Sequence, residues 1–195
     1  MRIISGTAAG LLIKAPKGFD VRPTADLVKQ ALFNSLSGRV IEARVLELFA
    51  GTGALGLECL SRGAVHLTCI EKASRHARLI KENLETTRLD AEKFELHVQD
   101  AFVAVAQFAA SGRQFNLVFA DPPYGEKNVG RCSDSFAQQL LDDAQLLKLI
   151  APEGLFVLGH AKRDTLSVPD CWQEVKMLKH GDSIMRFLKT ADLQG

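Results

Sequence analysis

From about residue 45 onward, short apolar runs alternate with stretches whose apolar residues recur every three or four positions, and few folds accommodate that rhythm. Runs of about five residues suit strands, whereas the three-to-four spacing lays one apolar stripe along a helix. Repetition of strand, helix and strand places parallel strands side by side, because the chain must travel back along a crossover helix before the next strand begins. Residues 45–49, 66–70, 94–98, 116–120 and 155–158 read as such strands. Residues 55–62, 74–87 and 136–150 read as the helices between them, the first closed by Gly63. The expected class is therefore α/β, a mostly parallel sheet with helices on both faces.

The two ends depart from this rhythm. Residues 174–179 and 183–189 are strand-like on either side of His180-Gly181-Asp182, which predicts a C-terminal antiparallel hairpin at one sheet edge and a total of seven strands. Near the start, residues 3–4 and 11–13 flank a Gly, Ala and Thr turn, and a helix is expected from Thr24, after Pro23, to Leu36. Residues 1–44 thus form an expected hairpin-and-helix appendage ahead of a sheet domain over 45–195.

Composition excludes several classes. Hydrophobic residues make up 47% and charged residues 24% of the 195, as in an ordinary globular protein, so disorder and fibrous architectures are not expected. No apolar run approaches the roughly 20 residues needed to span a bilayer and no signal-peptide core opens the chain, which predicts a cytoplasmic protein without a membrane partner. Cys59, Cys69, Cys132 and Cys171 lack CxxC spacing and read as reduced thiols. The five histidines show no HExxH spacing and no G-x-S-x-G elbow is present, so neither a metal nor a serine hydrolase site is expected. The net charge is only +1, but residues 1–44 carry seven basic and three acidic side chains, +4 against −3 for the remainder. If a nucleic acid is bound, that segment is the expected contact.

In open parallel sheets ligands gather beyond the carboxyl ends of the strands. After the first strand come Gly51, Gly53 and Gly56 in G-x-G-x-x-G spacing, with Gly51 and Gly53 able to let backbone approach a ligand. Glu71 follows the second strand at the distance of a ribose-holding acid, so a nicotinamide-dependent oxidoreductase fits this part alone. Two carboxylates favour S-adenosylmethionine. Glu47, upstream of the glycines, would repel a pyrophosphate but suits an ammonium, and Asp100, after the third strand, can accept from an adenine amine. The set resembles the Rossmann-like class I methyltransferases. That resemblance implies that Gly51 and Gly53 line the methionine and ribose, Glu71 holds the ribose hydroxyls and Asp100 reads adenine.

Asp121-Pro122-Pro123-Tyr124 follows the fourth strand and resembles the signature of methyltransferases acting on amines conjugated to a ring or carbonyl. Such an amine is a poor nucleophile because its lone pair is delocalised. The Asp121 carboxylate and the Pro122 carbonyl can accept its two hydrogens and aim the lone pair, while the two prolines stiffen the backbone and Tyr124 offers a face for stacking the base. With an ordinary pKa of about 3.9, Asp121 is expected to be an ionised acceptor at neutral pH. The target base should be unpaired or flipped, and residues 125–131, with Lys127 and Arg131, form a candidate lid over it. Pro123, Lys127 and Arg131 are the candidate substrate contacts.

Residues 2–6, Arg22-Pro23-Thr24, Asp26 and residues 31–34, together with the glycine motif and the Asp-Pro-Pro-Tyr tetrapeptide, resemble the bacterial 16S ribosomal RNA guanine-N2 methyltransferase family over nearly the whole chain. The resemblance implies a monomeric enzyme acting on the small ribosomal subunit, with Arg22 and Thr24 near the methionine carboxylate. Leu27 departs from the basic residue common in that family. Adenine N6, a glutamine amide, and an idle RNA-binding descendant of the fold are the alternative readings.

Overall fold

The computed structural model describes residues 1–15, 26–123 and 135–191. Its fold is the anticipated one, an α/β sheet of seven strands, mostly parallel, with a C-terminal antiparallel pair. The chain divides into two compact units, Met1–Ala101 and Phe102–Gly195.

In the first unit, β1 (Arg44–Leu48), β2 (His66–Ile70) and β3 (Phe94–His97) lie parallel in the order β3-β2-β1. The crossovers are α2 (Ala54–Ser61) and α3 (Ser74–Thr87). α3 is amphipathic, burying Ala77, Ile80 and Leu84 at helical spacing. α2 is different, since all eight of its residues are buried. A helix without a polar face must be covered on more than the sheet side. The second cover comes from the N-terminal hairpin and from α1 (Asp26–Leu36).

That cover is held by polar contacts that the sequence did not disclose. The hairpin closes through the Arg2–Leu12 bridge and through Ile3 N–H donating to Leu11 O at 2.9 Å. Glu58 of α2, with no exposed surface, accepts from Ile4 N (2.7 Å), Ser5 N (3.0 Å) and Arg62 Nε (2.7 Å). The equally buried Lys29 of α1 stands 3.1 Å from the same carboxylate and donates to Arg2 O at 2.5 Å. Each charge is therefore paired, which a buried charge requires. Ser61 completes the seat: its carbonyl accepts from Thr7 N and its hydroxyl accepts from Ala8 N and donates to Ser5 O. Gly6 (φ +87°) is necessary at this close approach, since a Cβ there would lie 1.8 Å from Ser61 O.

In the second unit, β4 (Phe115–Ala120) pairs parallel with β5 (Ile150–Ala161), and β7 (Ser183–Thr190) runs antiparallel between β5 and β6 (Trp172–His180). The β6–β7 turn carries Gly181 at φ +56°, as the glycine-bearing reversal predicts. Two expectations are corrected. The helix anticipated over 136–150 is two helices, α5 (Phe136–Asp142) and α6 (Ala144–Leu149), because Asp143 turns extended and its carboxylate caps Gln145 N at 2.8 Å. Residue 150 already belongs to β5, which passes a register shift near Glu153 (φ +60°) before the apolar run expected at 155–158. An unanticipated helix, α4 (Ala101–Ala110), joins β3 to β4.

No helix among the described residues is long and apolar enough to cross a membrane, and no cluster of histidine, cysteine or acidic side chains among them can hold a metal. Cys59, Cys69 and Cys171 are free thiols, the first two buried.

Candidate functional site

Within the first unit the turn after β1 is built from left-handed backbone: Phe49 (φ +54°), Gly51 (φ +56°) and Gly53 (φ +71°). A phenylalanine in that region stores strain of about 1–3 kcal/mol, a cost concentrated at functional turns. The turn is tied from three sides. Ala50 N donates to Ile70 O at 3.0 Å, Gly51 N donates to Glu71 Oε2 at 2.8 Å, and Asn83 Nδ2 donates to Thr52 O at 3.0 Å. Asn83, fully buried on α3, also accepts from Lys14 N and donates to Lys14 O, so it links the glycine turn to the N-terminal segment. A lone asparagine on the apolar face of a helical pattern was the available signal for this residue.

The three glycines have distinct reasons. A Cβ on Gly53 would meet Ile80 Cγ2 at 3.1 Å, so its bareness admits α3. A Cβ on Gly56 would lie 2.5 Å from Leu67 and 2.6 Å from Glu47 Oε2, so this glycine lets α2 sit close on the sheet. Gly51 presents its N–H to Glu71.

The carboxylates also divide. Glu47 is 5% exposed, and its oxygens accept from Leu55 N (3.2 Å) and Gly56 N (2.9 Å), with Cys69 Sγ at 3.6 Å. It thus meets the unsatisfied first turn of α2, where the ammonium of a ligand was expected; desolvation raises its pKa to about 7 against the lowering effect of those two backbone donors. Glu71, at the end of β2, accepts from Gly51 N and Ala73 N, both at 2.8 Å, and so lies against the glycine turn. Asp100 is more open and stands 3.2 Å from Lys72 Nζ. Two shielded nitrogens, His76 Nε2 and Gln99 Nε2, have no partner among the described residues; one sits in the first turn of α3 after Glu71, the other beside Asp100.

In the second unit, Asp121 immediately follows β4. It is half-buried, its Oδ1 is shielded from solvent without a hydrogen-bond partner among the described residues, and burial raises its pKa from 3.8 to about 6. The ordinary carboxylate expected from the sequence is corrected by that shift, although Asp121 is still roughly nine-tenths ionised at pH 7. Pro122 is buried and Pro123 exposed. Arg22, Thr24, Tyr124, Lys127, Arg131 and the candidate lid at 125–131 lie outside the described residues. Of the basic residues counted in the N-terminal segment, Lys29 is committed to Glu58 and is not available to a nucleic acid.

A parallel α/β sheet with a left-handed glycine turn, an acid at the next strand end and Asp-Pro-Pro after the fourth strand defines the Rossmann-like methyltransferase class of fold. The chain belongs to the family described as "Conserved hypothetical protein 95", whose model matches residues 1–189. It is 34% identical over 160 residues to YlbH of Bacillus subtilis (strain 168), provisionally named an rRNA methyltransferase, with 82% of each chain covered. It is 30% identical over 176 residues to "Ribosomal RNA small subunit methyltransferase D" of Haemophilus influenzae, covering 90% of this chain and 86% of that one. Among solved structures, yhhF of Escherichia coli, provisionally called a methyltransferase, matches with a TM-score of 0.78 at 31% identity over 97% of both chains.

Proposed function

We propose that this protein transfers the methyl group of S-adenosylmethionine to the exocyclic N2 amine of a guanine in 16S ribosomal RNA. The coarser reading, methylation of ribosomal RNA, is supported by the family and by the names of its relatives. The choice of a conjugated amine rests on Asp121-Pro122-Pro123-Tyr124, and the observation that carries it is the shielded Asp121 Oδ1 with no donor among the described residues. A buried acceptor left unpaired is costly, and an incoming N–H would satisfy it.

The residues of the first unit suit the cofactor's chemistry. Glu71 can exchange its backbone partners for ribose hydroxyls, Asp100 can accept from the adenine amine, and Gly51, without a side chain, can let its backbone approach the ligand. Gly53 and Glu47 support this surface from behind, and Arg22 and Thr24 are assigned to the methionine end. S-adenosylmethionine, when bound, supplies a methyl group activated by its sulfonium. The protein's own work is positioning: Asp121 and the Pro122 carbonyl take the amine hydrogens, Tyr124 stacks the base, and Pro123, Lys127 and Arg131 contact the RNA. The reaction makes the nitrogen cationic, so Asp121 need only accept a proton that is already acidic. The +4 segment 1–44 is assigned to RNA contact, and the protein to the cytoplasm, as a monomer acting on the small subunit.

Asp121→Ala should abolish methyl transfer to small subunits while leaving cofactor affinity by calorimetry unchanged. Retained transfer would refute the assignment of Asp121, and tight NAD binding without S-adenosylmethionine binding would overturn the reaction class.

A further inference from the structure

We infer that Gly159 is a positioning residue for the reaction, because the volume its absent side chain leaves open is the space in which the Asp121 carboxylate stands. A Cβ built on Gly159 would lie 2.4 Å from Asp121 Oδ1, 2.9 Å from its Cγ and 3.1 Å from Met185 Sδ. Ala120 pairs with Leu158 across β4 and β5, so Asp121 comes level with Gly159 as the register continues. Met185 pairs with Gly159 from β7. The carboxylate is thus received into a notch cut in the neighbouring strand and floored by a thioether.

The notch explains why Oδ1 is shielded yet has no hydrogen-bond partner among the described residues. Glycine and methionine side chains offer it no hydrogen-bond donor, and burial alone accounts for its raised pKa. The nearest charged groups on β5 and β7 are engaged elsewhere: His160 points to the opposite face from residue 159 by strand alternation, and its Nε2 accepts from Arg186 Nε at 3.1 Å. Arg186 in turn pairs with Glu174 of β6. An acceptor held back in such a notch keeps a fixed depth beyond β4. A misplacement of about 1 Å at a reacting group can cost on the order of 100-fold in rate.

The inference rests on the reading of Asp121 as the amine acceptor. Gly159 carries no left-handed φ, so Gly159→Ala imposes no backbone strain, and the added methyl meets the end of a short side chain. The test compares Gly159→Ala with Asp121→Ala in methyl transfer to small subunits. For Gly159→Ala we expect kcat to fall on the order of 100-fold with KM for S-adenosylmethionine unchanged. The acid limb of its residual pH profile should move below the wild-type value, as the carboxylate is pushed toward water. In urea unfolding, the stability change that Gly159→Ala brings should shrink when Asp121 is alanine, because only the 3.1 Å approach to Met185 Sδ then remains. Full turnover in Gly159→Ala with an inactive Asp121→Ala would overturn the positioning role and leave the acceptor reading standing. Turnover retained in Asp121→Ala would remove both. Equal stability losses with and without the Asp121 side chain would show that the two residues do not meet, and would also overturn the inference.

Discussion

Replacing Asp121 by asparagine should alter the stability of the folded protein more favourably in alkaline buffer than in acid. Burial raises this carboxyl from 3.8 to about 6, so the folded state holds its proton more tightly than the unfolded chain does. For a group shifted in this direction, stability falls as pH rises from the unfolded to the folded value, and the full penalty persists above. At about 1.36 kcal/mol per unit, the rise amounts to about 3 kcal/mol above pH 6. Asparagine has nearly the same shape and no charge to desolvate, so it escapes the penalty. Its amide can bury an unpaired donor at a cost of about 1–3 kcal/mol, which is independent of pH. The informative quantity is therefore the change, between pH 4 and pH 8, in the stability difference of the two proteins by urea unfolding. A gain of about 2.4 kcal/mol for the variant across that interval is expected, because pH 4 already lies just above the unfolded value and carries about 0.6 kcal/mol of the penalty. A difference that stays flat would refute the buried, unpaired state assigned to Asp121.

Glu58→Ala should destabilise the protein by about 3–5 kcal/mol in urea, because it leaves Lys29 buried without its counter-charge, and hydrogen exchange at Ile4 and Ser5 should lose protection. Gly6→Ala should release the N-terminal hairpin while leaving β4 to β7 protected, since the new Cβ would overlap Ser61 O; unchanged protection of the hairpin amides would contradict this. Alkylation at pH 8, mapped by mass spectrometry, should modify Cys171 before Cys59 or Cys69, whose thiols burial holds well above their usual pKa, while urea should expose all three.

The sheet was legible because its strands are short apolar runs punctuated by glycine, proline or a charge, and strand ends locate ligand-facing residues by geometry alone. β2 and α3 were found at their observed limits for that reason. α4 escaped because Ala101–Ala110 is apolar nearly all round and shows no period, and the break at Asp143 escaped because the apolar spacing continues through it. The strand-end positions of Gly51, Glu71 and Asp121 were legible from the pattern. The internal role of Glu47 was not, because only the folded turn shows that its oxygens meet Leu55 N and Gly56 N. Lys29, Glu58, Asn83 and Gly159 matter through residues distant in sequence. Each looks ordinary beside its own neighbours.

The seat formed by Glu58 and Ser61 sets an order of events for the growing chain. Residues 4–8 have nowhere to dock until a helix some fifty residues later has been made. Until they return, α2 keeps a greasy outer flank without a lid. A nascent chain stalled between those two points would be a natural client for chaperones, and removing residues 1–13 to simplify the protein would leave part of that flank bare.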